Sequence, residues 1–237
     1  MIEESSRRVL VVDPDVTARR EIRNACEQDG YHVIEADGSA EALRQYEDSK
    51  PSLIILEVTL PDGAGFDVCR ELRKLDAVVP MIMMSSRSDE IDAVVALEIG
   101  ADDYVTKPLR LRELVARMTA HLRRVRLEMA EASRSRLEFR DLAIDVNERR
   151  VYKLGKEVQL THTEFDLLTF LASNAGKVLS REKILNSIWG YEYPIETRVI
   201  DVHIRNLRRK IESQPSHPYY ILAVPGIGYR FTNSRAA

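Results

Sequence analysis

Four residues that could handle an anion stand at comparable points in the first half of the chain. They are Asp13 after VLVV, Glu57 after LIIL, Ser85 after MIMM and Lys107 just beyond Tyr104 and Val105. Each follows a short apolar run of the kind that makes a buried strand. Two carboxylates, a hydroxyl and a cation ending different strands suit an anion or a phosphoryl group and make a sparse oxidoreductase pocket. The turn after the first run reads VVDPDVT. It lacks the glycine- or hydroxyl-rich loop that cradles a nucleotide phosphate, so flavin and dinucleotide binding are discounted. A second candidate lies in residues 197–211, TRVIDVHIRNLRRKI. At ~100° per residue, Ile204, Leu207 and Ile211 fall within ~40° of Ile200, while Arg198, Val202, Arg205 and Arg209 gather near ~140–200°. Asn206 lies beside that cluster and Arg208 at ~80°. Such a helix packs one side and offers arginines on the other.

Elements must hold these residues in place. Strand-like runs at Val9–Val12, His32–Ala36, Leu53–Leu56, Met81–Met84 and around Tyr104 alternate with helical stretches near 16–29, 39–48, 66–75, 88–99 and 110–124. Five βα units predict an α/β doubly wound, flavodoxin-like parallel sheet of five strands, with its crevice at the carboxyl ends of the strands. Residues 125–136, VRLEMAEASRSR, read as an exposed connector or a frayed helix end. From Leu137 the chain alternates like short antiparallel strands with turns at Asn147 and Gly155, then forms a capped helix ending near Gly176. YYILAVPGIGYRF reads as a hairpin turning at Pro225–Gly228. Helix and hairpin together predict a small α+β winged helix-turn-helix domain. The expected division is 1–124, a linker over 125–136, and 137–237.

Composition agrees with two folded domains. The 237 residues are 44% hydrophobic and 31% charged, with 10 Gly and 9 Pro, which excludes a disordered or collagen-like chain. Apolar runs are too short for a bilayer crossing, and no export signal is visible. Cys26 and Cys69 suit neither a disulfide framework nor a zinc module, so a reducing cytoplasm is expected. The net charge of −3 is uneven: residues 1–120 carry −9, 121–136 carry +3 and 137–237 carry +3. A polyanion partner would meet the second half.

The segments VLVVDPD, PSLIILEVTLPDGAGFDVCREL, PMIMMSSR and EIGADDYVTKP resemble the receiver domain of bacterial response regulators over residues 7–124. LTHTEFDLL, SREKILNSIWG, RVIDVHIRNLRRKIE and PGIGYRF resemble the OmpR/PhoB-type DNA-binding domain over 137–233. The resemblance implies a transcription regulator, not an enzyme, that binds double-stranded promoter DNA as a homodimer, on half-sites arranged as direct repeats. It places the recognition helix at Thr197–Ile211 in the major groove and the wing in the minor groove. Arg198 and Arg208 then correspond to phosphate or base contacts, Arg205 and Asn206 to base readers, and His203, Arg209 and Arg230 to further DNA-facing positions. In the receiver it assigns Asp13, Ser85, Tyr104 and Lys107 to the phosphorylation machinery. It also implies a dimer face carrying Glu98, Asp102, Asp103, Glu113, Arg117 and Arg124. Trp189 is either a core anchor, the reading favoured here, or near a surface that meets RNA polymerase.

Two positions depart from the receiver pattern. Glu57 stands where the phosphoacceptor Asp is found, and Pro14 where the second acid of the metal-binding pair is found. Proline brings no side-chain oxygen for a magnesium ion that demands octahedral oxygen ligation, and Glu57 is one methylene longer. The expectation is an atypical, phosphorylation-independent receiver in which Glu57 pairs with Lys107, without metal or cofactor, leaving a histidine kinase doubtful as partner. The alternatives are a conventional kinase-driven receiver and one that senses a ligand or partner protein. Ala93 and Ile99 replace charged residues on the dimer face, so an apolar contact is expected there in place of some ion pairs.

Overall fold

The computed structural model describes residues 7–86, 90–128, 136–190 and 198–232. The chain divides into two compact units, Met1–Leu122 and Arg123–Ala237. No helix among the described residues is long and apolar enough to cross a membrane.

The first unit alternates β1 (Arg8–Val12), α1 (Val16–Gln28), β2 (His32–Ala36), α2 (Ser39–Ser49), β3 (Leu53–Glu57), α3 (Gly65–Leu75), β4 (Met81–Ser85), α4 (Glu90–Glu98), β5 (Asp103–Thr106) and α5 (Leu111–Glu128). The strands pair in parallel in the order β2-β1-β3-β4-β5. Every residue of β3 and β4 is buried, as expected of central strands covered on both faces. The period of two sorts them. Leu10, Val12, Ile54, Leu56, Met81 and Met83 pack with Tyr46, Val68 and Leu72 on one side of the sheet. Val9, Val11, Leu53, Ile55, Ile82 and Met84 pack with Ile22, Cys26, Leu114 and Met118 on the other. A short hairpin, Thr59–Leu60 with Gly63–Ala64, interrupts the passage from β3 to α3. The helix α5 continues to Glu128, so the first four residues of the expected linker are helical, and residues 129–135 lie outside the described residues.

The second unit opens with an antiparallel sheet of β6 (Arg136–Phe139), β7 (Leu142–Asp145), β8 (Arg150–Lys153) and β9 (Lys156–Val158). Leu154 and Gly155 turn the last hairpin, both at positive φ. The helices α6 (His162–Ser173), α7 (Arg181–Ile188) and α8 (Arg198–Ile211) follow, and β10 (Val178–Ser180), β11 (Ile221–Val224) and β12 (Gly228–Phe231) form a second sheet in the order β10-β12-β11. Caps set the helix starts. Thr161 and Glu164 form a capping box on α6, and Ser180 Oγ accepts from Lys183 N on α7. Ile200, Ile204, Leu207 and Ile211 enter one core with Trp189, Tyr220 and Phe231. Trp189 is therefore a core anchor.

Candidate functional site

The parallel sheet delivers its four candidate residues to one edge. Asp13 follows β1, Glu57 and Ser85 end neighbouring strands, and Lys107 follows β5. Lys107 Nζ lies 2.6 Å from Asp13 Oδ2 and 2.6 Å from Glu57 Oε2. Ser85 is buried, and its carbonyl accepts the Lys107 N–H at 2.8 Å. Tyr104 is half-buried on β5 against the core face. Burial pulls the Lys107 ammonium down, but its hydrogen bonds and charge interactions with Asp13 and Glu57 outweigh this and hold it above its ordinary 10.5.

The backbone explains why the carboxylates sit still. Asp13 Oδ1 accepts from Asp15 N at 2.9 Å, and Glu57 Oε1 accepts from Thr59 N at 3.1 Å. A β-carbon on Gly65 would fall 2.1 Å from the Glu57 carbonyl oxygen, so only glycine lets α3 start this close to β3. Beyond Thr59, the hairpin is tied down by Asp62. Its carboxylate accepts from Ser39 N at 2.6 Å and Ala40 N at 3.0 Å, capping α2, whose own N-cap is a glycine. Those backbone bonds hold the Asp62 carboxyl below its ordinary value. Asp62 was not singled out from the sequence, although the turn signal PDG contains it.

A magnesium ion does not fit these residues. Pro14 offers no side-chain oxygen, and Asp15, one residue on, caps α1 by accepting from Thr17 N at 2.8 Å. Magnesium keeps several waters and is anchored by one or two free carboxylates, whereas here the Asp13 and Glu57 oxygens face Lys107 and backbone N–H groups and no second acid stands beside Asp13 to anchor the ion. Among the described residues no group of three His, Cys, Asp or Glu could hold a metal.

Three residues of the expected dimer face are engaged within the protomer. Asp102 is buried and accepts from Arg73 Nη2 at 2.7 Å and from Met81 N at 2.9 Å. Arg117 is buried with Asp103, 3.2 Å away, and is paired with Glu113. Asp102, Asp103 and Arg117 thus serve bonds inside the protomer, because a charge at a strand start is stable in the interior only when paired. Of the expected set, Glu98 is exposed and Glu113 partly so. The Arg124 side chain lies outside the described residues. On α4 two apolar side chains, Ile91 at 68% and Val94 at 37%, are exposed on the same helix as Glu98.

The helix α8 also sorts differently from its angular projection. Arg205 and Arg209 are exposed, as is Arg230 on β12. His203 is 1% exposed and packs against Trp189 with ring centres 5.6 Å apart, Asn206 is 7% exposed, and Val202 is buried. None of these three belongs to the exposed arginine face. Arg208 donates from Nε and Nη2 to the Ile221 carbonyl at 3.1 and 2.7 Å, so its guanidinium is engaged inside the domain. The Arg198 side chain lies outside the described residues. Asp201 and Glu212 were not singled out from the sequence. Asp201 accepts from Tyr229 Oη at 2.7 Å and Arg181 Nε at 3.0 Å, and burial with that bond pushes the Tyr229 phenol up to about 12.

A doubly wound sheet with acids and a lysine at its strand ends, followed by a helix and hairpin with exposed arginines, defines the response-regulator class of transcription factor. Residues 9–119 match the family model for the response regulator receiver domain, and residues 155–231 that for the C-terminal domain of transcriptional regulatory proteins. The chain is 41% identical over 238 residues to a probable transcriptional regulator, ycf27, of Cyanophora paradoxa, covering 98% of this chain and 99% of that protein. It is 39% identical over 224 residues to the DNA-binding response regulator MtrA of Mycolicibacterium smegmatis, covering 94% and 96%. Among solved structures, a RitR mutant aligns with a TM-score of 0.76 at 29% identity, covering 95% of this chain and 99% of that one. DrrB, an OmpR/PhoB homolog of Thermotoga maritima, aligns at 0.51 and 34% identity, covering 95% and 99%. The chain belongs to the response-regulator family of DNA-binding transcriptional regulators, in its OmpR/PhoB-like branch.

Proposed function

We propose that this regulator binds promoter DNA as a homodimer and that its receiver holds the competent state without an acyl phosphate. The observation that carries this reading is the pairing of Glu57 with Lys107 at 2.6 Å, in a crevice where Pro14 replaces an acid. Acyl phosphate formation needs a carboxylate in line with its donor and a cation on the transferring oxygens. Here the carboxylate is one methylene too long and already bound to the lysine. Glu57 supplies a permanent negative charge to Lys107, a partial stand-in for the larger charge of a phosphorylated Asp.

The exposed Arg205 and Arg209 support major-groove binding by α8, with the β11–β12 hairpin beside it reaching the minor groove. Two protomers then read half-sites about one helical turn apart, as direct repeats. Exposed Ile91 and Val94 support a receiver dimer that relies on apolar contact, with Glu98 and Glu113 at its margin. RNA polymerase is the expected partner at the promoter. Buried, unbridged Cys26 and Cys69 suit a reducing cytoplasm.

The test is intact mass after incubation with magnesium and acetyl phosphate, with gel-shift titrations of treated and untreated protein on selected DNA. The expected result is no adduct, unchanged affinity and a footprint over two half-sites. A stoichiometric adduct with tighter binding would overturn phosphorylation independence, and protection of a single isolated half-site would overturn dimeric binding.

A further inference from the structure

The end of α8 and the start of β11 are joined by five hydrogen bonds from two side chains. Glu212, immediately after the helix, is buried and accepts from Tyr219 N at 2.8 Å, Tyr220 N at 2.8 Å and Ile221 N at 2.9 Å. Arg208, one turn earlier, donates two N–H groups to the Ile221 carbonyl at 3.1 and 2.7 Å. Residues i and i+4 on a helix share a face, so one face grips both the donors and the acceptor of a single extended segment. Hydrogen bonds to ionised groups are the stronger kind, and these are fixed to backbone, which cannot rotate away.

The other wing strand is held at the opposite end of the same helix. Tyr229 on β12 donates to Asp201, in the first turn of α8, at 2.7 Å, while Arg208 from the last turn also meets the Tyr229 ring, 5.8 Å from its centre. Asp201 and Glu212 are eleven residues apart, which at ~1.5 Å per residue separates the two attachments by ~16 Å along the helix axis. Two attachments so far apart fix both the distance and the angle between helix and hairpin.

We infer that Arg208 and Glu212 are positioning residues for DNA recognition: they set the wing's placement relative to the recognition helix and leave contact with DNA to other residues. This rests on the reading of the hairpin as a minor-groove element. Glu212 is the informative partner, because a carboxylate cannot grip a phosphate, whereas an arginine in the same place could.

Dimethyl sulfate footprinting separates the two grooves, since it methylates guanine N7 in the major groove and adenine N3 in the minor groove. The full-length protein is used on a duplex selected by that protein from a random pool. Unaltered protein should protect both atoms. Arg208→Met and Glu212→Gln should each weaken binding ~10-fold. At saturating protein both variants should retain N7 protection and lose N3 protection. Arg208→Lys, which keeps the charge and part of the donor set, should recover N3 protection in part and serves as the graded variant should Arg208→Met fail to fold. Retention of N3 protection in both Arg208→Met and Glu212→Gln would overturn the clamp. A loss confined to Arg208→Met, equal on all sequences and with a shallower salt dependence, would make Arg208 a phosphate contact instead. If unaltered protein protects only N7, the minor-groove reading of the wing falls, and the proposal with it.

Discussion

The Lys107 ammonium stands 2.6 Å from Glu57 Oε2, in a site where the Glu57 side chain is 4% exposed. The same ammonium reaches Asp13, so one cation neutralises two acids contributed by different strands.

Replacing that cation should be costly. Lys107→Met leaves Asp13 and Glu57 facing each other unpaired, and the receiver should lose about 2–4 kcal/mol, somewhat below a fully buried pair because Lys107 is 22% exposed. Denaturant unfolding measures it. The folded Lys107 is held above 10.5, so its stabilisation is fully present below that pH and is lost as pH rises through the higher folded value. Lys107→Met should abolish this component of the alkaline loss, and an unchanged alkaline profile would contradict the pairing.

Restoring phosphorylation should need both departures reversed. Glu57→Asp alone shortens the acceptor but leaves Pro14 without an oxygen, so acetyl phosphate with magnesium should give no adduct. Glu57→Asp combined with Pro14→Asp should gain one phosphoryl group by intact mass. A full adduct on the single variant would show that Pro14 is no obstacle.

Arg205→Ala should weaken specific DNA binding by ~1–3 kcal/mol and relax discrimination at one base position. Competition gel shifts on site variants report both. Equal loss on every sequence would remove Arg205 from base reading and make it a phosphate contact.

A β-carbon on Gly228 would stand 2.1 Å from the Leu179 carbonyl oxygen, a backbone atom that cannot turn aside. Gly228→Ala should therefore cost roughly 1–3 kcal/mol in the winged domain by forcing β10 and β12 apart. Thermal melting with domain-resolved amide signals is the check, and unaltered β10–β12 amides would contradict it.

The receiver sheet was legible because its strands are apolar runs that end in chemistry-bearing residues. The weaker apolar run His32–Ala36 predicts a strand with the bounds that the structure has. Less legible was which charges turn inward. Asp102, Asp103 and Arg117 look like surface charges in one dimension, and only the fold brings Arg73 from α3 to the start of β5. The helix α8 shows both outcomes. Arg208 projects beside the apolar stripe, and that position fits its turning back to Ile221, whereas nothing in the spacing marks Val202 or Asn206 as buried. Glu212 lies beyond the helix and serves a segment seven to nine residues later, a relation that neither period reveals.

The pairing of Val178 with Arg230 has a kinetic meaning. The four strands between Arg136 and Val158 meet through short local turns, but β10 must wait for a partner that lies beyond both α7 and α8. Closing so long a loop is slow relative to neighbouring hairpins. Pulsed hydrogen exchange during refolding should show the first sheet protected before the wing, and competence for DNA should follow the later event.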